Sequence, residues 1–367
     1  MKPAPGSVLP KPDFGPAPAP QRKPRRGCLI AFVIVAVLGF LAFVLLIALV
    51  LWARSLDQPA TVPPDFRPPT TLPSSDPAGA VPVGHLAFDS DRSGNFEIYL
   101  MDADGGAVQA LTDDAAFDSW WPRISPDRTT ILFYRTPAGS HDKDFAATSL
   151  WSIAADGSGL TELRPAGLDG WVQQGHAEWS PDGQSLVMFG GNRTSPQIFV
   201  TDRQGQNPRQ VTDRPGANLD PVFSPDGSTI AFVGCPGSIC MFNDYEIYTI
   251  PVAGGEATRL TDDGARDHDP YYSPDGTKLA WLTQVSGGLP GVWDVLVADA
   301  NGANPRRLAG DDGVTSRPQW SADGQRIIVH RIPPGGNRFG IFEFQVDGSG
   351  ERDLTADQPS NNEYPST

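Results

Sequence analysis

The sequence predicts an all-β fold of six repeated units that follow one apolar segment. Three observations support this prediction. A short motif, Ser-Pro-Asp-Gly or a close variant, recurs five times between residues 121 and 324. Each copy is followed by an apolar stretch of strand length, and neighbouring copies begin 44 to 55 residues apart. An uncharged run of 25 residues, 28–52, precedes the whole array.

The apolar run 28–52 has the properties of a transmembrane helix. At roughly 1.5 Å per residue its length would be about 37 Å, which exceeds the ~30 Å hydrocarbon core of a bilayer. The run is also longer than the roughly 7–15 apolar residues of a cleaved signal peptide. Only Arg54 follows the run closely, whereas four basic residues lie shortly before it: Arg22, Lys23, Arg25 and Arg26. The positive-inside rule therefore predicts a single-pass protein of the cell membrane, with a cytoplasmic N-terminus and an extracytoplasmic body.

The segments that flank this run are rich in proline. Residues 1–27 hold eight prolines and six basic residues, which predicts a disordered basic tail in the cytoplasm. Residues 53–82 hold eight more prolines and predict a stiff linker. Beyond residue 26 the chain carries 22 basic and 42 acidic residues. This acidic body argues against nucleic acid as a partner, because its charge would repel the phosphates.

Each repeat predicts four antiparallel strands. The first strand ends in the Ser-Pro-Asp-Gly turn, where glycine takes a positive φ without strain. A second, apolar strand follows, then a loop of variable length, a third strand, and a fourth strand that often ends in Leu-Thr. Four strands per unit at this spacing describe the blades of a β-propeller. The turns are WPRISPDR (121–128), AEWSPDG (177–183), PVFSPDG (221–227), PYYSPDG (270–276) and PQWSADG (318–324).

The number of blades follows from the two ends of the array. Five blades begin with the five turn motifs, and residues 85–112 supply strands two to four of a further blade. The segment Asn362–Pro365 aligns with Asp267–Pro270, at the start of a first strand. We therefore predict that the C-terminal strand completes the first blade and closes a six-bladed propeller over residues 83–367, which removes an open sheet edge.

These residues resemble the TolB-like β-propeller repeat family. The resemblance rests on FSPDG (223–227) followed by IAF, and on SDRSGNFEIYLMDADGG (90–106). Single turns depart from the pattern, with Arg128 in place of glycine and Ala322 in place of proline. The resemblance implies a binding scaffold in the bacterial envelope. TolB proteins carry an additional N-terminal α/β domain, whereas this chain has the predicted anchor, so the TolB partners are not carried over.

Sequence motifs for catalysis are weak. The chain has no Gly-x-Ser-x-Gly nucleophile motif, and its cysteines lack the spacing of a zinc site. We expect neither a cofactor nor a metal, and no enzyme activity. An alternative is an enzyme, a lyase or hydrolase acting on glycan or peptide, with His176, His268, Asp220 and Asp269 placed around a metal in the channel.

The candidate binding site lies at the mouth of the central channel. The loops between strands two and three vary in length and share one face with the blade-to-blade connections, and binding usually occurs on such a face. The first strands open onto this face. The alternative is that the acids and Arg317 only pair with one another in a wet channel. The candidate residues are Trp121, His176, Asp220, His268, Asp269, Arg317, Glu363 and Tyr364.

Two cysteines, Cys235 and Cys240, lie in one loop of the predicted extracytoplasmic body. Disulfides persist in that environment, so we expect a bridge between them; two free thiols are the alternative. Together these features predict a membrane-anchored, non-catalytic binding or sensing module for a protein or envelope ligand.

Overall fold

The computed structural model describes residues 79–237, 240, 244–284, 292–309 and 314–367. Their regular elements are strands, apart from one short 3-10 turn at Leu168–Gly170. In this part of the chain no helix is long and apolar enough to span a bilayer. The predicted tail and transmembrane helix, together with most of the linker, lie outside the described residues.

The strands form six four-stranded antiparallel sheets, which are the six predicted blades. Blade 1 contains β1 (Leu86–Ser90), β2 (Glu97–Met101), β3 (Gln109–Ala110) and the last strand, β24 (Asn362–Ser366). Blade 2 contains β4 (Phe117–Ile124), β5 (Thr130–Pro137), β6 (Ser149–Ala154) and β7 (Thr161–Arg164). Blade 3 contains β8 (Gln173–Trp179), β9 (Ser185–Gly191), β10 (Gln197–Asp202) and β11 (Arg209–Gln210).

The remaining three blades follow in chain order. Blade 4 contains β12 (Asn218–Phe223), β13 (Thr229–Gly234), β14 (Glu246–Pro251) and β15 (Thr258–Arg259). Blade 5 contains β16 (Arg266–Tyr272), β17 (Lys278–Gln284), β18 (Asp294–Asp299) and β19 (Arg306–Ala309). Blade 6 contains β20 (Val314–Trp320), β21 (Arg326–Ile332), β22 (Gly340–Gln345) and β23 (Arg352–Asp353).

The C-terminal strand completes blade 1, as predicted. β24 runs antiparallel to β1, with Asn362 opposite Ser90 and Ser366 opposite Ala87. A bulge interrupts the pairing between these two positions. Because the last strand supplies the inner position of the first blade, β1 has no unpaired edge towards the channel.

The repeated turn is held by its own side chains. In blade 4 the Ser224 hydroxyl donates to Asp226 at 2.6 Å, and the backbone N–H of Thr229 donates back to Ser224 at 3.0 Å. Blade 2 keeps this turn although Arg128 replaces glycine at φ 60°. The Arg128 guanidinium donates to the carbonyl oxygen of Val81 at 2.7 Å. The arginine that replaces glycine in this turn therefore binds the backbone of the segment that leads into blade 1.

The repeated Leu-Thr also has a structural role. The hydroxyl of the threonine accepts a hydrogen bond from an isoleucine N–H near the start of the third strand of its own blade, for example Thr261 from Ile247 at 2.9 Å. Thr112, Thr212 and Thr355 do the same in blades 1, 3 and 6. Two of these hydroxyls also donate to a glutamate, from Thr112 to Glu97 and from Thr261 to Glu246.

The hydrophobic core is divided among the interfaces between blades. Phe189 and Val200 of blade 3, for example, pack in one buried cluster with Ile230 and Phe232 of blade 4. The central strands of a blade are covered on each face by a neighbouring blade. Both faces are therefore buried, and the sequences of these strands are apolar without alternation. In the loop after β13, a disulfide joins Cys235 and Cys240, with Cα atoms 5.7 Å apart.

Candidate functional site

One residue in the inner strand of each blade has a positive φ. All six lie at a β-bulge, where the pairing between the inner strand and its neighbour shifts register. A bulge re-aims a side chain, and a positive φ outside glycine is uncommon. We call these positions the ring residues; they are Trp121 (φ 59°), His176 (53°), Asp220 (48°), Asp269 (53°), Arg317 (51°) and Tyr364 (48°).

The sequence explains where the bulges occur. Five of the six ring residues precede a proline, and Ala177 follows the sixth, His176. Proline has no N–H to offer a ladder and is tolerated inside a sheet at bulges. Two ring residues donate their backbone N–H groups to side chains. Tyr364 N–H donates to His330 Nδ1 at 3.0 Å, and Trp121 N–H donates to Asp89 at 3.3 Å.

The ring residues contact one another through stacked planar groups. The Trp121 indole lies parallel to the His176 imidazole, with ring centroids 4.0 Å apart and an interplanar angle of 4°. On Trp121, the Arg317 guanidinium carbon lies 3.2 Å from the ring centroid. The Tyr364 ring lies 5.3 Å from the Trp121 ring. A cation held against an aromatic face is stabilised by the ring quadrupole, and more so away from water.

Charged pairs connect the other ring residues. Asp220 is bonded to His176 Nδ1 through one oxygen and to His268 Nδ1 through the other, the latter at 3.0 Å. Arg317 pairs with Asp269 at 3.0 Å and contacts His176 Nε2 at 3.2 Å. Five of the six ring residues and the predicted neighbour His268 therefore form one connected network, and Tyr364 contacts it through Trp121.

Burial determines the protonation of this network. Burial, and then the nearby Arg317, lowers the pKa of His176, so its neutral imidazole donates from Nδ1 to Asp220 and accepts from Arg317 at Nε2. Burial would lower the pKa of Arg317 as well, but Asp269 and Asp220 outweigh it and raise that pKa. The ring therefore holds a permanent cation between carboxylates and aromatic faces.

The loop of residues 138–148 in blade 2 covers part of the ring. His141 pairs with Asp89 of blade 1 at 2.9 Å and stacks on Phe96, with centroids 3.6 Å apart. The next residue, Asp142, accepts a hydrogen bond from the Tyr364 hydroxyl. Loop length was the only signal of this role in the sequence, because the contact of Asp142 with Tyr364 depends on closure of the ring by β24.

Glu363, the remaining predicted site residue, lies beside the network rather than in it. It stands opposite Asp89 in the pairing of β24 with β1. Burial, and then the charge of Asp89, raises the pKa of Glu363 to about 8. Sequence reasoning also missed the buried pair of Arg123 and Glu178 next to the ring. An arginine directly after Trp121-Pro122, in an inner strand, was the available signal.

The ring leaves little free space. The cavity lined by Trp121, Asp220, Asp269 and Arg317 offers about 20 Å³ to solvent, room for roughly one water molecule. A metal bound by His176, His268, Asp220 and Asp269 would compete with contacts these groups already make. The Arg317 guanidinium lies among them, paired with Asp269 and His176.

Comparison with known proteins identifies the repeats. A model of the TolB beta-propeller domain family, PD40, matches residues 178–367. The chain is 27% identical over 172 residues to a TolB homologue of Chlorobium luteolum, which covers 47% of this chain and 35% of that protein. The match thus spans about a third of the length of this curated relative.

Solved structures share the fold. TolB from Acinetobacter baumannii aligns with a TM-score of 0.63 at 19% identity, covering 77% of this chain and 66% of that chain. Oligogalacturonate lyase from Vibrio parahaemolyticus aligns with a TM-score of 0.50 at 13% identity, covering 74% of each chain. Because these identities are low, the likeness concerns the fold alone. The family match covers more than half of the sequence, and the chain belongs to the TolB β-propeller domain family.

Proposed function

We propose that this protein is a non-catalytic binding module that docks a protein or envelope ligand on the loop face of its propeller. The loop face consists of the loops between second and third strands and the connections between blades. The observation that carries the proposal is the filled channel. Since the ring residues fill the channel with contacts to one another, a partner would bind the loop face rather than enter the channel.

The size of the cavity also favours binding over catalysis. Pockets that take a small molecule usually measure about 300–1,000 Å³, whereas the ring leaves about 20 Å³. A glycan or peptide in the channel would have to displace the stack of Trp121 on His176 and the pair of Arg317 with Asp269. The lyase with a similar fold is therefore a weaker guide to function than the family's binding role.

Exposed residues on the loop face supply the proposed contacts. Lys143 and Asp144 are exposed in the loop of residues 138–148, directly after the anchored residues His141 and Asp142. Val172, in the connection between blades 2 and 3, is 48% exposed. A loop that is already fixed by contacts such as those of His141 and Asp142 loses less conformational entropy on binding than a free loop, which favours affinity.

The proposal includes an anchor and a location. The apolar run 28–52 and the basic residues before it support a membrane span with the propeller outside the cytoplasm. A propeller tethered in this way would meet ligands of the cell envelope, and the proline-rich segment 53–82 would act as a spacer.

Crosslinking in intact cells tests the proposed face. The loop-face variant combines Lys143→Ala, Asp144→Ala and Val172→Ala. The control variant changes exposed residues near the opposite turns, namely Leu160→Ala, Glu162→Ala and Gln184→Ala. Both variants are first shown to melt like the wild type. We expect the loop-face variant to lose the crosslinked partner and the control to keep it. Loss in the control alone, or retention in both, would contradict the proposal.

Metal analysis of the full-length chain distinguishes the proposed binding module from the alternative, a channel-centred enzyme. A channel-centred lyase or hydrolase should retain a transition metal such as manganese, and His176→Ala with His268→Ala should remove it. We expect no transition metal that depends on these two histidines. A stoichiometric metal lost in the double variant would favour the enzyme.

A further inference from the structure

Three carboxylates meet at the junction of blades 4 and 5, away from the ring. Glu246 begins β14, Asp263 lies in the connection that follows β15, and Asp267 lies in β16. One oxygen from each lies within 4.8 Å of the other two. Glu246 and Asp267 are buried and Asp263 is exposed, so the cluster opens to solvent on one side.

Among the described residues, Asp267 has no well-aligned hydrogen-bond donor that accounts for its burial. Its side chain is fully buried, and in the described part of the chain neither carboxylate oxygen has a hydrogen bond of good geometry. The Thr261 hydroxyl is directed at Glu246, at 2.7 Å. A buried carboxylate without a hydrogen-bond partner is costly, and one oxygen of Asp267 lies within 4.8 Å of an oxygen of each of the other two acids. Burial raises the pKa of Asp267 to about 6, although Thr261 and Thr283 act to lower it.

The equivalent junction between blades 3 and 4 has no carboxylate at the three corresponding positions. There Asn218 takes the place of Asp267, Gln197 that of Glu246 and Arg214 that of Asp263. The Arg214 guanidinium donates to Asn218 Oδ1 at 3.3 Å. The Asn218 amide donates to Gln197 at 3.3 Å and to the carbonyl oxygen of Pro196 at 3.3 Å. The repeat can therefore satisfy this position with two amides and an arginine, whereas blades 4 and 5 place three carboxylates there.

The junction between blades 1 and 2 provides an acidic comparison. Ser119 takes the place of Asp267 there, and the residue before it, Asp118, is a buried carboxylate. Its oxygens accept hydrogen bonds from the backbone N–H groups of Phe96 at 3.3 Å, Gly139 at 2.7 Å and His141 at 3.0 Å. Asp118 is thus compensated by backbone donors, which the described residues around Asp267 do not supply.

Charge at the junction of blades 4 and 5 is only partly balanced. Arg259 bonds Glu246 at 2.5 Å and Asp262 at 2.6 Å. Asp263 accepts one hydrogen bond, from the N–H of Ala265 at 2.9 Å. Among the described ion pairs, the four acids Glu246, Asp262, Asp263 and Asp267 therefore share one arginine, Arg259. A divalent cation would balance the remaining negative charge.

We propose that Glu246, Asp263 and Asp267 bind a calcium ion that links blades 4 and 5. The donors are all carboxylate oxygens, which suit hard cations such as calcium better than they suit transition metals. Calcium accepts six to eight oxygens in flexible geometry, whereas magnesium demands a near-ideal octahedron. Exposed Asp263 gives the ion and its waters access from the loop face.

Thermal unfolding and calorimetry on the full-length chain in mild detergent test this site. The protein is stripped with EDTA and titrated with calcium chloride, with magnesium chloride in parallel. We expect one calcium per chain and a Tm that rises with calcium concentration, because an ion that binds only the folded state stabilises it by mass action. An unchanged Tm with no heat of binding, or an equal response to magnesium, would overturn the proposal.

The variant Asp267→Asn makes the test specific because it copies Asn218 of blade 4. We expect two effects of opposite sign: a higher Tm than the wild type in EDTA, and at least a tenfold loss of calcium affinity. The control Asp118→Asn should lose stability yet keep the calcium response. If Asp267→Asn does not fold, Asp263→Asn serves instead, since Asp263 is exposed; it should weaken calcium binding at least tenfold. An unaltered calcium affinity in the variant that is measured would overturn the proposed calcium site.

Discussion

At the scale of single residues, Arg317 contacts three other ring residues. It is the ring residue with a positive charge, paired with Asp269, hydrogen-bonded to His176 and stacked on Trp121. A buried ion pair adds little net stability, but removal of one partner leaves an uncompensated charge. The same guanidinium lies near Asp220, whose carboxylate is otherwise bonded to two histidines.

We expect Arg317→Ala to lower the free energy of unfolding by about 3–5 kcal/mol, because Asp269 stays buried without its partner. Urea unfolding at pH 7 measures the change. Arg306→Ala, which removes an exposed arginine, is the control and should cost much less. Equal effects of the two substitutions would mean that the network does not depend on Arg317.

Glu363 should make stability depend on pH. Its pKa is raised to about 8 in the folded chain by burial and by Asp89, against about 4.3 in an unfolded one. Between these values the unfolded chain releases the proton while the folded chain keeps it. Its contribution to stability is therefore fully present near pH 4 and is lost as the pH rises towards 8.

The variant Glu363→Gln isolates this effect because glutamine cannot ionise. We expect the wild type to lose more stability than the variant between pH 5 and pH 8, by an amount on the order of 4 kcal/mol at most. Urea unfolding at several pH values measures the difference. Parallel pH profiles for the two proteins would contradict the raised pKa.

At the scale of elements, β24 has more connections than its five residues suggest. It supplies the inner strand of blade 1, and the Ser366 hydroxyl accepts from the N–H of Ile124 in blade 2 at 3.1 Å. On the other side, Tyr364 and Thr367 contact His330 and Trp320 of blade 6. The strand therefore joins three blades.

We predict that deletion of residues 356–367 lowers the Tm by roughly 10 °C or more, because β1 loses its partner and two blade interfaces open. Differential scanning fluorimetry on the full-length and truncated chains measures this. Thr367→Ala, which removes a single hydrogen bond, is the control. A truncated chain that melts like the wild type would mean that closure does not depend on β24.

The whole molecule has a predicted orientation that follows from charge. Arg22, Lys23, Arg25 and Arg26 precede the apolar run 28–52, and the acidic body follows it. The positive-inside rule predicts that Thr367 lies outside the cytoplasm.

Protease added to intact spheroplasts should therefore remove a C-terminal epitope tag and leave an N-terminal tag protected. Immunoblotting with both tags measures the outcome, and a cytoplasmic protein serves as the control for leakage. Protection of the C-terminal tag until lysis would reverse the predicted orientation.

Sequence periodicity by itself determined the number of blades and the way in which they close. The Ser-Pro-Asp-Gly turns mark local structure, and their spacing matches one four-stranded sheet. The alignment of Asn362–Pro365 with Asp267–Pro270 identified β24 before any contact was known. The same alignment placed the six ring residues, since each stands at one position of the repeat.

Only the tertiary structure decided what those residues do together. Trp121 and Arg317 are 196 positions apart in the chain, and their contact depends on the curvature of the closed ring. Neither the positive φ at the bulges nor the loop of residues 138–148 over Tyr364 could be derived from repeat spacing. Periodicity reports interactions within a blade, whereas the ring and the three-carboxylate cluster depend on how blades face one another.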